Sequence, residues 1–176
     1  DIKRGQKTGF FLDQRENRKM VGDHANGRSV LNCFAYSGGF SVYAAKAGAR
    51  SVTSVEIQDR AVEAIKHNFN LNGLSSVPHV LVQEDVFDFL RHDTDQYDLG
   101  VLDPPAFCKH KSQILQASRG YKDINLFAMK RLAPGGLLFT SSCSSFISSD
   151  LFQKIVFGAA QDAGRQKVLE VGGVVE

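Results

Sequence analysis

The feature that most constrains this chain is an alternation. Short apolar runs rich in Val, Leu and Ile trade places with longer amphipathic stretches along most of its length. Val30-Leu31-Asn32-Cys33-Phe34 reads as a buried strand, and Phe40 to Ala47 as a short helix closed by Gly48. Ser51 to Glu56 is a β-branched strand; Asp59 to Asn72 is helical, opened by an Asp cap and stopped by Gly73. Val80 to Val82 is followed by a short helix, Val86 to Arg91. Leu99 to Leu102 is followed by Ser112 to Leu132, with an interruption expected near Gly120. Leu137 to Thr140 is followed by Ser149 to Ala163, and Val168 to Val171 begins a further strand. Ahead of all this, Thr8 to Asp13 reads as a strand and Gln14 to His24 as a short charged helix.

A strand-helix unit repeated five times predicts an α/β fold, a mainly parallel twisted sheet with helices on both faces. Its 176 residues suffice for one domain with a core. With 43% hydrophobic and 23% charged residues, the chain is not a disordered tail, a collagen-like repeat or a coiled coil. No apolar run approaches the roughly 20 residues that span a bilayer. Three widely spaced cysteines do not make a disulfide framework, so a reducing, cytoplasmic setting is expected. The net charge of +2 does not define a nucleic-acid partner; its distribution matters more.

Ligands of parallel sheets bind beyond the strand carboxyl ends, where strand order reverses, so the residues after each strand carry the information. The first strand runs into Asn32-Cys33-Phe34-Ala35-Tyr36-Ser37-Gly38-Gly39-Phe40, where glycines allow close backbone approach to a ligand or simply make a tight turn. Glu56 ends the second strand and could accept ribose hydroxyls; alone it is a weak signal. Asp85 follows the third, as a helix cap or as an acceptor for an adenine amine. Together these three strand ends suggest a nucleoside site, and the turn has no phosphate-binding lysine. After the fourth strand, Asp103-Pro104-Pro105-Ala106-Phe107-Cys108 is stiffened by two prolines. After the fifth, Cys143 lies in Ser141-Ser142-Cys143-Ser144-Ser145, as a nucleophile or an inert thiol; Cys33, inside an apolar strand, fits the inert reading better.

These residues resemble the motifs of class I S-adenosylmethionine-dependent methyltransferases, with their Rossmann-like fold. Gly9 to Arg18, the Arg119-Gly120-Tyr121-Lys122-Asp123-Ile124-Asn125 run and Ser142-Cys143-Ser144 further resemble the bacterial large-subunit ribosomal RNA cytosine-carbon-5 methyltransferases. The resemblance covers about Lys7 to Gly164. It implies S-adenosylmethionine across Ser37, Gly38, Gly39 and Phe40, lined by Asn32, Phe34, Asp103 and Pro104, with Glu56 on the ribose and Asp85 on the adenine. Phe11, Asp13, Gln14 and Arg15 would close over it. Related guanine-nitrogen-7 domains carry asparagine and lysine where Cys143 stands here. Cytosine carbon 5 needs a thiolate to activate it, and a guanine nitrogen does not, so Cys143 favours cytosine, with Asp103 on the ring nitrogen or amine. Another subfamily uses a second cysteine directly after the proline of the fourth-strand motif. Cys108 lies three residues beyond Pro105, so a substrate-loop thiol is expected instead.

On the substrate side, Lys109, Lys111, Arg119, Lys122, Lys130 and Arg131 face a single acid, Asp123, which suits phosphate contacts, although Lys130 and Arg131 fit a solvated helix face as well. Pro105, Phe107 and Tyr121 join them as candidate substrate contacts; the two aromatic rings would stack on a flipped base or pack in the core. Lys122 or Arg119 is expected to lower the thiol pKa of Cys143. Three alternatives stand: methylation of a base nitrogen (guanine nitrogen 7 or an exocyclic amine), a nicotinamide oxidoreductase, which the missing G-x-G-x-x-G opposes, and a non-catalytic RNA-binding module. The expected partner is RNA, with no membrane and no metal, and a homodimer stays open. Residues 1–27 are expected to cover the cofactor site and 28–176 to form the catalytic domain, a core cut at both ends of a longer chain with an RNA-binding region ahead of it.

Overall fold

The computed structural model describes residues 11–165. Five strands form one parallel sheet: β1 (Ser29–Cys33), β2 (Ser51–Val55), β3 (His79–Val82), β4 (Tyr97–Leu102) and β5 (Leu132–Thr140), in the spatial order β3-β2-β1-β4-β5. Six α-helices accompany them: α1 (Arg15–Asp23), α2 (Gly39–Lys46), α3 (Asp59–Leu71), α4 (Val86–His92), α5 (Ile114–Lys130) and α6 (Ser149–Asp162). The strand order reverses between β1 and β4, so the crevice lies at their carboxyl ends.

The sheet is apolar on both faces, as a parallel sheet with helices on either side must be. Val30, Val52, Leu99 and Val101 pack with α1, α2 and α3 residues such as Val21, Ala44 and Ile65. Leu31, Cys33, Val55 and Leu102 pack with Leu90, Ile124 and Phe152 of α4, α5 and α6. All five residues of β1 are buried, the polar Ser29 and Asn32 among them, as a central strand requires.

Several boundaries differ from expectation. Leu12 and Asp13 belong to a 3-10 turn, Leu12–Gln14, rather than a strand; the Gln14 amide donates to the Phe11 carbonyl at 3.3 Å. The proposed strand residues before Phe11, and Val168 to Val171, lie outside the described residues. Asp59 is the first residue of α3 and not its cap, which is Gln58. Gly120 does not interrupt α5. A β-carbon there would lie 3.4 Å from the Phe107 ring, so the glycine admits a close contact. The burial of Ala117, Tyr121, Ile124 and Asn125 around it outweighs the roughly 1 kcal/mol that glycine costs a helix. β5 begins at Leu132, five residues earlier than expected, because Ala133 to Gly136 bulge out between the Tyr97–Leu132 and Leu99–Leu137 pairs. Pro134 has no donor for the ladder and Gly135 adopts a φ of 77°, which lets the chain leave the sheet and return.

Candidate active site

The turn after β1 is the most strained part of the described backbone. Phe34 and Tyr36, neither of them glycine, have φ of 58° and 48°, and Gly38 has a φ of 77°. Phe34 therefore does not continue the strand. Left-handed non-glycine residues cost energy and persist where surrounding contacts determine them. Here the contact is Glu56. Its Oε2 accepts the Tyr36 amide at 2.8 Å and its Oε1 accepts the Gln58 amide at 2.9 Å. The Ala35 amide donates to the Val55 carbonyl at 3.1 Å and the Glu56 amide to the Val82 carbonyl at 3.0 Å, which sets the ends of β1, β2 and β3 side by side. The Gly38 amide closes onto the Ala35 carbonyl at 2.7 Å, and Asn68 holds the Ser37 carbonyl at 2.7 Å. Each Glu56 oxygen keeps a second acceptor position after these bonds, enough for a diol.

Asp85 caps α4, its Oδ1 accepting the amides of Phe87 at 2.8 Å and Asp88 at 3.3 Å. The capping reading is correct, and both bonds use the same oxygen. Asn32 is buried at 1% exposure and donates to Ser41 at 2.8 Å; Ser41 bonds Ser54, and Ser54 bonds His79. It braces the turn from behind. Phe40 is likewise core, 5.5 Å from the Phe139 ring, and leaves only its backbone to a ligand.

At the other side of the switch point, Ser141 ties β5 to β4. Its amide donates to the Leu102 carbonyl at 3.0 Å and its hydroxyl to Asp103 Oδ1 at 2.6 Å. Burial pushes the Asp103 carboxyl above the usual range, against the pull of that hydroxyl and of the Arg18 charge. Cys143 is exposed, with its Sγ 3.4 Å from the carbonyl oxygen of the buried Pro104. Exposed thiol, rigid diproline loop and half-buried acid thus meet at the carboxyl ends of β4 and β5, beside the crevice.

Other predicted residues are distributed less simply. Phe11 packs edge-on against Tyr36 at 5.8 Å, Gln14 accepts from Asn17 at 2.8 Å, and Asp13 and Arg15 are exposed beside them. Pro105, Lys109, Lys111 and Arg119 are exposed. Lys122 instead pairs with Asp162 at 2.8 Å, at the end of α6 remote from Cys143, so it is not the cation beside the thiol. Lys130 and Arg131 lie at the far end of α5, and Asp123 is occupied by Arg91 at 2.6 Å. Tyr121 is fully buried, 4.6 Å from the half-buried Phe107 ring, and does not offer a stacking face. Cys108 is also buried, its thiol donating to the His110 carbonyl at 3.3 Å, so it is no substrate-loop thiol. Cys33 is buried and its thiol pKa is raised by desolvation, as an inert thiol requires.

Arg18 was missed. It is 4% exposed, donates to the Phe11 carbonyl at 2.6 Å, and lies over the Phe40 ring at 6.0 Å. A β-carbon on Gly39 would come within 2.8 Å of it. Burial lowers its pKa, and Tyr43, Asp103 and Asp13 oppose that. An arginine in a charged helix reads as solvent-facing, so although Arg18 closes the Gly9 to Arg18 run, its burial was not legible.

Three carboxylates and a strained glycine turn around one switch point define a nucleoside-binding α/β domain whose donor set fits S-adenosylmethionine. Glu56 and Asp85 keep acceptor capacity beyond the backbone amides they bind, and no lysine stands in the turn. Comparison with known proteins agrees: a model of the S-adenosylmethionine-dependent methyltransferase family matches residues 1–169, and the chain belongs to that family. It is 53% identical over 169 residues to "Ribosomal RNA large subunit methyltransferase I" of Shewanella amazonensis, covering 94% of this chain and 42% of that one. The protein of the same name from Aeromonas hydrophila is 50% identical over 175 residues, covering 97% and 44%. The chain thus spans less than half the length of these curated relatives. Among solved structures, a putative SAM-dependent methyltransferase from Streptococcus mutans superposes with a TM-score of 0.78 at 32% identity, over 93% of this chain and 42% of its own. A putative methyltransferase complexed with S-adenosylhomocysteine gives 0.78 at 33%, over 91% and 42%. The fold is the Rossmann-like methyltransferase fold. Among the described residues no helix is long and apolar enough to cross a membrane, and no cluster could hold a metal ion.

Proposed function

We propose that this chain is the catalytic part of an RNA methyltransferase that forms 5-methylcytosine in large-subunit ribosomal RNA through a covalent adduct with Cys143. The observation that carries the reading is the thiol itself: exposed, 3.4 Å from the Pro104 carbonyl, on the loop beside Asp103. The names of the curated relatives support the choice of RNA.

S-adenosylmethionine supplies an electrophilic methyl group when bound. Glu56 and Asp85 hold its ribose and adenine, the Phe34 to Gly39 turn carries its backbone contacts, and Phe11, Asp13, Gln14 and Arg15 cover it. The Cys143 thiolate adds to carbon 6 of cytosine, which breaks the ring double bond and makes carbon 5 nucleophilic. Asp103, its carboxyl pKa raised by burial, hydrogen-bonds the ring nitrogen or amine as charge develops on the ring. After methylation, carbon 5 gives its proton to solvent water, the electron pair of that bond restores the ring double bond, and the carbon–sulfur bond breaks to release the thiolate. Lys109, Lys111 and Arg119 are the exposed cations that serve RNA phosphates.

The test is methyl transfer from radiolabelled S-adenosylmethionine to ribosomal RNA, followed by mass spectrometry of the nucleosides. The expected product is 5-methylcytidine. A methyl on a guanine nitrogen or an exocyclic amine, or RNA binding without transfer, would overturn the reading.

A further inference from the structure

The loop that carries Cys143 is fastened on both sides. On one side Ser141 bonds Leu102 and Asp103, as described above. On the other, Ser144 is 4% exposed and its Oγ accepts the Cys108 amide at 3.0 Å. The same Oγ lies 2.8 Å from the Tyr121 hydroxyl. Tyr121 is in turn fixed in the core: none of it is exposed, and its ring meets Phe107 at 4.6 Å and Phe152 at 5.4 Å. Three elements therefore converge on one serine oxygen: α5 through Tyr121, the loop after β4 through Cys108, and the loop after β5 through Ser144 itself.

We infer that Tyr121 and Ser144 are positioning residues for Cys143. Their buried hydroxyl pair locks the loop after β5 onto the diproline loop and so holds the thiol at its attack position. This rests on the reading of Cys143 as nucleophile given above. A serine hydroxyl can donate once and accept twice. Accepting from Cys108 and exchanging a bond with Tyr121 leaves it no freedom to rotate with the loop. The Ser144 amide bonds the Ser142 hydroxyl at 3.3 Å and the Ile147 amide bonds the Ser144 carbonyl at 3.0 Å, so the anchor continues into the backbone around the cysteine. An exposed thiol on an unanchored loop would sample many positions, and misplacement of a reacting group by about 1 Å costs about a hundredfold in rate. The arrangement also gives Cys108 a purpose: its amide is the third member of the clasp, and its thiol is packed away.

The experiment uses the full chain and its Tyr121→Phe, Ser144→Ala and double variants. The probe is large-subunit ribosomal RNA transcribed with 5-fluorocytidine, in the presence of S-adenosylmethionine. The rate of adduct formation is read on denaturing gels across RNA concentrations, and cofactor affinity by calorimetry. Each single variant is expected to lower the limiting rate about tenfold to a hundredfold, with half-saturating RNA and cofactor affinity within about twofold. The double variant is expected to be no slower than the slower single, because both changes break one clasp. Single variants within about twofold of the parent, or losses that multiply in the double, overturn the inference. So does a raised half-saturating RNA concentration with an unchanged limiting rate, which would make Tyr121 an RNA contact. If one single variant fails to bind the cofactor, the other decides. A parent chain that methylates without forming an adduct refutes the nucleophile reading, and the inference falls with it; a parent that traps beside unaffected variants refutes the inference alone.

Discussion

Glu56→Gln isolates the acid on which the cofactor turn depends. Each carboxylate oxygen accepts one backbone amide, from Tyr36 at 2.8 Å and Gln58 at 2.9 Å. A glutamine has one acceptor oxygen and one donor nitrogen, so either orientation sets its amide nitrogen against a backbone N–H. Glu56 is only 7% exposed, and water cannot readily take over the lost bond. An unsatisfied buried donor costs roughly 1–3 kcal/mol. For a chain of this size that corresponds to a melting temperature lower by roughly 2–12 °C. Replacing a charged acceptor for the ribose hydroxyls by a neutral one removes a bond worth roughly 1.5–3 kcal/mol, which weakens cofactor binding by about tenfold to a hundredfold. Thermal unfolding and calorimetric titration with S-adenosylmethionine measure the two effects. A variant that melts with the parent and binds the cofactor equally well would refute the argument that Glu56 holds both the turn and the ribose.

Other consequences are separable. Gly38→Ala forces a side chain into a φ of 77° and within 3.2 Å of Ile65, and is expected to cost about 1–2 kcal/mol in urea unfolding. Asp85→Ala removes the cap of α4, with a loss of about 1 kcal/mol by the same measurement, and weakens cofactor binding besides. Asp103→Asn keeps an acceptor for Ser141 but removes a desolvated charge. Because burial raises the Asp103 pKa, its protonated state contributes stability that is complete below the ordinary carboxylate value of 3.8 and is lost as pH rises through the raised one. The variant is therefore expected to melt higher than the parent at neutral pH, with the gain shrinking in acid, while methyl transfer fails.

The sheet was legible because its central strands, β1 and β4, are buried on both faces and the strands alternate with amphipathic helices, with Gly48 and Gly73 closing α2 and α3 at φ of 89° and 67°. What the sequence concealed is tertiary. Glycine at 120 reads as a break, yet it makes room for Phe107 within a continuous helix. Phe34 reads as the last strand residue, yet Glu56, twenty-two positions later, pulls the following turn into a left-handed conformation. Cys143, Asp103, Glu56 and Asp85 were candidates from the strand ends alone, because topology fixes where strand ends go. Tyr121 and Lys122 could not: a helix residue between a basic surface and a core has its side decided by packing, which here buries Tyr121 and turns Lys122 to Asp162. Arg18 shows the converse, a charge buried beneath Gly39 where composition would place it in solvent.

The central claim is that Cys143 forms a covalent bond to cytosine during methyl transfer. Incubation of the chain with S-adenosylmethionine and 5-fluorocytidine-containing ribosomal RNA blocks release of the adduct, since fluorine cannot leave carbon 5 as a proton does. The account predicts a denaturation-resistant protein–RNA complex for the parent chain and none for Cys143→Ala. A complex that persists in Cys143→Ala, or full methyl transfer to unmodified RNA by that variant, would contradict it.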